Sequence, residues 1–340
     1  MSSRLQNTVG LTAGLAVLKA LAESTRLRIV LLLAERELTV KDLTTILGQS
    51  QPRISRHLKL LYEAGVIERY REGSWENFRL AESNWIGGVL TGFDRSDAEH
   101  GRDLDRLGLL RAEQATQAQA YFERNAGDWD RLRSLYVDEQ AVDSAISNAV
   151  GSEDIGLLID LGTGTGRVLE LLAGRYQRAL GIDINKSMLN YARARLDQQR
   201  DGHAQVRHGD LYNLSMDDAC ADLVVMHQVL HYLSDPAAAI REAGRILQPG
   251  GRLLVVDFAP HDLDFLREEF AHQRLGFGED QMAGWLREAQ MQTLAMETLG
   301  PSGARLSERL TVALWTAQKM DVVGIDAQRA SEMRQVEGAR

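Results

Sequence analysis

Residues 157–166 read Leu157-Leu158-Ile159-Asp160-Leu161-Gly162-Thr163-Gly164-Thr165-Gly166, and this stretch decides the fold. Its first five residues are apolar apart from Asp160, the pattern of a parallel strand buried on both faces. Three alternating glycines then form a turn whose backbone a ligand can approach, because no Cβ stands in the way. A helix expected over Val168 to Leu172 points its N-terminal N–H groups back at that ligand. A second short strand, Ala179-Leu180-Gly181-Ile182, ends at Asp183, about twenty residues on, where an acid can accept both hydroxyls of a ribose.

Downstream the alternation continues. A helix is expected around Ser187–Gln198, a strand near Gln205–His208, an apolar strand at Asp222–Met226 and a helix across Pro236–Leu247. Pro249-Gly250-Gly251 then turns into a strand at Leu253–Asp257. Strands alternating with helices predict an α/β domain with a mostly parallel sheet covered on both faces.

Upstream the pattern is different. Leu11–Leu21 and Thr25–Leu33 carry apolar residues at helical spacing, with Ser24 or Thr25 as cap of the second helix. A short amphipathic helix from Leu38 stops at Gly48. Ser50 then caps a longer one, with Pro52 in its first turn, running to Glu63-Ala64-Gly65. Two strand-like stretches, Val66–Arg71 and Trp75–Leu80, are joined by the turn Glu72-Gly73-Ser74. Helix, helix, turn, helix and hairpin is the order of a winged helix-turn-helix, an α+β unit. Trp85–Gln119 is polar and helical in composition, a dimerisation helix or connector, and Tyr121–Val150 holds two further helical segments.

The 340 residues suggest a multidomain chain, and 44% of them are hydrophobic. No apolar run approaches the roughly eighteen residues of a membrane span. The segment Val9–Leu21 is interrupted by Thr12 and Lys19 and lacks the marks of a secretory signal. A single cysteine, Cys220, offers neither a disulfide framework nor a thiolate cage, which points to a cytoplasmic protein without a membrane partner. Residues 1–90 hold 12 basic and 9 acidic side chains, against 27 and 39 in the remainder. The overall charge of −9 opposes nonspecific nucleic-acid binding over the whole molecule, but leaves room for a basic face on the first domain.

Three separated pieces, Leu21-Ala22-Glu23-Ser24-Thr25-Arg26-Leu27-Arg28-Ile29, Gln49 to Leu61, and the hairpin Arg69 to Leu80, resemble ArsR-type winged-helix transcriptional regulators over about residues 10–100. Ile54, Leu58 and Leu61 give the helix capped by Ser50 an inward face. The resemblance implies a homodimer on a double-stranded DNA operator, with Ser50, Gln51, Arg53, Ser55, Arg56 and Lys59 of the recognition helix and Arg71 of the wing meeting bases and phosphates. Many members carry a Cys-Val-Cys metal sensor where this chain has Thr39-Val40-Lys41. A hydroxyl and an ammonium do not bind a soft metal, and His100 stands among the scattered acids Asp94, Asp97 and Glu99, so no metal is expected.

The glycine loop, Asp183, His208-Gly209-Asp210-Leu211, Leu223 to His231, and Leu247-Gln248-Pro249-Gly250-Gly251 together resemble the ordered motifs of class I S-adenosylmethionine-dependent methyltransferases, across about 120–320. The resemblance implies a Rossmann-like fold with S-adenosylmethionine or S-adenosylhomocysteine as cofactor. Asp160 would approach its methionine end, Gly162, Gly164 and Gly166 would admit it, and Asp183 would hold the ribose. Ile184 would pack on the adenine, Asp210 would bond its amino group with Leu211 beside it, and His227 would lie near the sulfonium. Tyr121-Phe122 and Trp129-Asp130 resemble the leading helix that closes over the cofactor. His227, His231, Asp257, His261 and His272 are the groups near the carboxyl edge able to serve a methyl acceptor. They form no diagnostic constellation, and His231 and Cys220 read as structural. Arsenite methyltransferases hold arsenic with several cysteines, which the lone Cys220 cannot supply.

The expected organisation is a DNA-binding domain at 1–100, a helical connector and cofactor lid at 101–150, a methyltransferase domain at 151–320 and a flexible tail at 321–340. Two functions follow: a transcriptional regulator whose methyltransferase domain senses the cofactor or methylates a small molecule, or primarily a small-molecule methyltransferase with an autoregulatory DNA-binding domain. A nicotinamide-linked reductase has no place for the motif after the fourth strand or for Pro249-Gly250-Gly251.

Overall fold

The computed structural model describes residues 10–72, 75–81, 84–94, 97–128, 138–199, 203–300 and 310–320. Gly73 and Ser74 of the expected turn, Trp129 and Asp130 of the expected lid, and the tail at 321–340 lie outside the described residues. The chain divides into two compact units, residues 1–115 and 116–340.

The first unit contains α1 (Leu11–Leu21), α2 (Ser24–Glu35), β1 (Leu38–Thr39), α3 (Val40–Leu47), α4 (Gln51–Glu63), β2 (Ile67–Glu72), β3 (Trp75–Leu80), α5 (Asn84–Leu90) and the start of α6 (Ala98–Asn125). The cap of α2 is neither Ser24 nor Thr25. Glu23, in extended backbone, accepts the Arg26 N–H at 2.9 Å, because its longer side chain reaches the third helical residue. Thr39 and Asp42 form a reciprocal capping box at the start of α3, and Gly48 ends that helix at φ 64°. Ser50 takes the cap position of α4 without making a side-chain capping bond.

Ile54, Leu58 and Leu61 recur at helical spacing on α4 and are buried against Ile29, Leu32, Leu43 and Ile46. Each such burial stabilises by about 1.5–3 kcal/mol. β2 and β3 pair antiparallel from Ile67↔Leu80 to Glu72↔Trp75, and β1 adds to β3 through Leu38↔Phe78. Asp97 accepts N–H bonds from Glu99 and His100 at the start of α6, while Glu99 and the buried Asp103 both pair with Arg28. Asp97 is thereby used in capping, and Glu99 in ion pairing.

The second unit contains the end of α6, α7 (Glu139–Val150), β4 (Ile155–Leu161), α8 (Arg167–Leu171), β5 (Tyr176–Asp183), α9 (Lys186–Gln199) and β6 (Ala204–His208). β7 (Ala221–His227), α10 (Pro236–Ile246), β8 (Leu247–Phe258), α11 (Phe265–Glu269), α12 (Glu279–Glu288), β9 (Met291–Leu299) and β10 (Val312–Lys319) follow. The sheet order is β6-β5-β4-β7-β8-β10-β9, with β6 through β8 parallel and β10 antiparallel to both neighbours.

Both faces of the sheet are buried. Ile159 and Leu161 of β4 join one apolar cluster, with Leu180 and Ile182 of β5, and Leu158 and Ala179 join the other. This alternation is why the strands read as nearly continuous apolar runs. β4 lies between β5 and β7, so the chain order reverses beside it, and the crevice at these carboxyl ends is where such sheets bind ligands. Among the described residues no helix is long and apolar enough to cross a membrane.

Candidate functional site

The loop after β4 is built on left-handed backbone, with Gly162 at φ 75° and Gly166 at φ 84°. Gly162 differs from the sequence expectation that its missing Cβ opens the backbone to a ligand. A Cβ there would stand 2.3 Å from Val229 Cγ2, so the turn after β7 fills that space. Beneath the loop, Asp160 is 1% exposed and its Oδ2 accepts the Thr163 hydroxyl at 2.6 Å. Gly164 donates its N–H to Asp183 Oδ2 at 2.9 Å, and Asn185 donates its own to Asp183 Oδ1 at 2.7 Å. Burial pushes the Asp183 carboxyl above the usual carboxylate range, against the pull of these two N–H donors.

Asp160, Gly162, Gly164, Gly166 and Asp183 thus lie together at the carboxyl ends of β4 and β5, with Thr163 bonded to Asp160 and Gly164 to Asp183. Ile184 follows with its side chain exposed, and β6 delivers Asp210, exposed, and Leu211, buried. His208 is in register with Asp183. Asn185 is a site residue that sequence reading missed. Its side chain accepts the Met188 N–H at 3.0 Å, and its Nδ2 donates to the Gln119 carbonyl of α6 at 3.3 Å. An asparagine directly before a helix was the available signal.

At the carboxyl edge of β7 and β8 the histidines divide. His227 ends β7, half-buried, in register with Val256. His231 lies four residues on, in a 3-10 turn (Leu230–Tyr232). It is 1% exposed, and its Nδ1 is 2.7 Å from Oδ1 of the fully buried Asp257. Asp257 also accepts the N–H groups of Phe258 and His231. The His272 ring lies 4.3 Å from that of His231, and His261 stands edge-on to Phe258. Burial holds His261 down to about 4 and His272 well below the usual imidazole range, so both are neutral near pH 7. Tyr121 and Phe122 of α6 join this cluster, Phe122 meeting Tyr232 edge-to-face at 4.7 Å. His231, read from sequence both as a candidate for the acceptor site and as a structural residue, is held through Nδ1 by a buried carboxylate.

Cys220 is half-buried and free, and burial pushes its thiol up. Among the described residues no group of three or more His, Cys, Asp or Glu is placed to hold a metal ion. At the usual sensor positions, Thr39 is committed to the α3 capping box.

In the first unit, Ser50 at the cap of α4 and Gln51, Arg53, Ser55, Arg56 and Lys59 within it are all exposed, away from the buried Ile54, Leu58 and Leu61, and Arg71 is exposed on the hairpin. Lys59 is 3.8 Å from Glu63, a solvent-screened pair.

Residues 23–69 match the family model described as bacterial regulatory protein, arsR family, and residues 159–255 match the methyltransferase domain model. The arsenical resistance operon repressor of Escherichia coli (strain K12) is 56% identical over 64 residues, 18% of this chain and 55% of that protein. An arsenite methyltransferase of Aquipseudomonas alcaligenes is 39% identical over 110 residues, 29% of this chain and 32% of that one. The YcgJ protein of Bacillus subtilis superposes with a TM-score of 0.45 at 16% identity, over 54% of this chain and 99% of its own. The chain therefore spans about half the length of the repressor and a third of the methyltransferase. With the helix-turn-helix and the seven-stranded sheet in place, it is identified as an ArsR-type regulatory domain fused to a class I S-adenosylmethionine-dependent methyltransferase domain.

Proposed function

We propose that the protein is a cytoplasmic, homodimeric transcriptional regulator whose operator affinity responds to cofactor occupancy of its methyltransferase domain. The observation that carries this reading is the coexistence of two sites in one chain. One is an exposed basic helix face in a helix-turn-helix that has Thr39, a helix cap, and Lys41 at the places of the family's sensor cysteines. The other is a bonded cofactor loop. A regulator that lacks the family's sensor cysteines still needs an input, and the attached cofactor site is the candidate for it.

The residues fit a nucleoside cofactor. Asp183 is held against the loop by Gly164 with lone pairs left for ribose hydroxyls, and Ile184 offers an exposed apolar side chain, 46% accessible, beside it for the adenine. When bound, S-adenosylmethionine supplies an electrophilic methyl group. α6 bears on both functions: within the first unit Arg106 donates to the Ile46 carbonyl at the end of α3, and within the second Gln119 accepts from Asn185. The recognition helix α4 and the wing would meet the operator. Leu11, Leu15 and Leu18, exposed along one side of α1, would face the second copy.

The test is an operator titration by fluorescence anisotropy with and without saturating S-adenosylmethionine or S-adenosylhomocysteine. Coupling of about 1–3 kcal/mol shifts affinity roughly five- to hundredfold, and reciprocity requires operator DNA to change nucleoside affinity equally. Titrations that both nucleosides leave unmoved overturn the sensor. A second reading, transfer of the methyl group to a small molecule, is favoured by the paired His231 and Asp257 at the carboxyl edge.

A further inference from the structure

We propose that His231 is the general base of a methyl-acceptor site, oriented by Asp257, and that the acceptor is a flat aromatic molecule bearing a hydroxyl. The inference rests on the methyltransferase reading and adds to it a base and a substrate class.

The argument begins with position. Val229 is seated on Gly162 of the cofactor loop, and the 3-10 turn that holds His231 starts at the next residue. Asp257 is the penultimate residue of β8, the strand beside β7. The dyad therefore stands at the carboxyl edge, next to the ligand loop. Its orientation is fixed twice over. Nδ1 is bonded to Asp257, and the His231 carbonyl accepts the N–H groups of Gln273 and Arg274 at 2.8 and 3.1 Å. With Nδ1–H directed at the carboxylate, Nε2 on the opposite side of the ring carries the lone pair.

The surroundings set the class of acceptor. Tyr232, Phe258 and His272 lie with ring centroids 4.0, 4.7 and 4.3 Å from His231, and Phe122 closes on Tyr232. His231, Phe258 and His272 are buried, and the half-buried Tyr232 and Phe122, packed edge-to-face, leave ring surface suited to another flat ring. His272 is 6% exposed, and among the described residues neither its Nδ1 nor the buried Nε2 of His261 has a hydrogen-bond partner, so a polar group on the ligand has nitrogens to meet. The charged and titratable groups facing this edge are Asp257, Asp262, Arg267, His261 and His272, and Arg267 already donates to the Gln273 carbonyl. An acceptor that is anionic on its own needs no base, whereas a hydroxyl does. In the step inferred, the acceptor O–H proton passes to Nε2 as its oxygen bonds the methyl carbon. The carbon–sulfur pair stays on sulfur, and Asp257 stabilises the imidazolium until the proton leaves to water.

The probe is 4-nitrophenol, whose phenolate absorbs in the visible, added to protein saturated with S-adenosylhomocysteine so that no transfer occurs. The pH is set about one unit below the probe's own midpoint, where the free phenol is mostly protonated. Wild type should generate the phenolate band on binding. His231→Asn, whose amide can still donate to Asp257 but offers no base at the Nε2 position, should bind S-adenosylhomocysteine as wild type does and give less than a tenth of the band. In turnover with S-adenosylmethionine, the same variant should lose the acid-side limb of the pH–rate profile. A band of equal size in the variant, or none in wild type with S-adenosylhomocysteine bound, overturns the assignment. Failure of wild type to bind S-adenosylhomocysteine overturns the methyltransferase reading beneath it.

Discussion

Replacing Asp183 by Ala tests the proposed cofactor site at the side chain expected to be its most sensitive. In the wild-type protein its carboxylate accepts the Gly164 N–H at 2.9 Å and the Asn185 N–H at 2.7 Å, and each oxygen keeps a lone pair for a ribose hydroxyl. Removing it leaves the hydroxyls poorly paired in a partly enclosed crevice, at a cost of roughly 1–3 kcal/mol, so calorimetry should show about a tenfold loss of S-adenosylmethionine affinity. Part of that loss could come from a loosened loop, and a 2′-deoxy analogue of S-adenosylhomocysteine separates the two. Wild type should bind the analogue about tenfold more weakly than the parent nucleoside, while the variant should discriminate little. The pH dependence has a definite sign. Burial raises the Asp183 carboxyl, and ribose donation favours the ionised form, so affinity should fall as pH drops through that raised value. The same shift means that Asp183 contributes stability below its unfolded value and loses it as pH rises through the folded one. Unchanged affinity in the Ala variant, with the fold intact by circular dichroism, would refute the assignment of this carboxylate to the ribose.

Three further outcomes are expected. Arg56→Ala should weaken operator binding by about 1–3 kcal/mol if it reads a base, whereas Arg71→Ala should lower the salt slope by about one phosphate contact, both read by gel shift across a salt series. Leu15→Glu, in the middle of the exposed α1 side chains, should shift the protein from dimer to monomer in light scattering; a dimer that survives places the interface elsewhere. Asp103→Ala strips Arg28 of a partner that is 1% exposed and bonded at 2.6 Å through both oxygens, and should cost about 3–5 kcal/mol in denaturant unfolding of the first unit.

What could be read from sequence was local and periodic. The apolar run at 157–161 announced a strand buried on both faces, and Ile54, Leu58 and Leu61 announced the inward side of α4, because burial imposes those spacings directly. Contacts made by folding were not legible. β1 is two residues long, too short to show a period, and exists because Leu38 and Thr39 meet Phe78 and Asn77 some forty residues away. The pairing of His231 with Asp257 spans 26 residues and two elements, so each looked ordinary alone. Val229 filling the space at Gly162 depends on β7 lying beside β4, an order the alternation of strands and helices leaves open. The antiparallel edge of β9 and β10 lies beyond the region where motif spacing guided the strand assignments.

The sensor and the enzyme make different demands on the carboxyl edge. In the proposed nucleoside site the glycine loop, Asp160 and Asp183 do the holding, with His227 at the strand end, and that set does not call for the His231–Asp257 pair. The edge nevertheless buries a full carboxylate at 0% exposure beside an imidazole, a desolvation of several kcal/mol that three hydrogen bonds to Asp257 offset. An apolar pair of similar volume would fill the same space without that penalty. The penalty falls at the turn that begins beside Val229 and Gly162, not in a remote part of the core. Cost and position together make proton transfer the better account of the dyad. That need not displace regulation. A domain that transfers the methyl group converts its own ligand into S-adenosylhomocysteine, which occupies the same pocket with one methyl group and one positive charge fewer. If operator affinity distinguishes the two occupants, catalysis resets the signal, and a His231→Asn protein should remain locked in its S-adenosylmethionine-bound response however much acceptor is present.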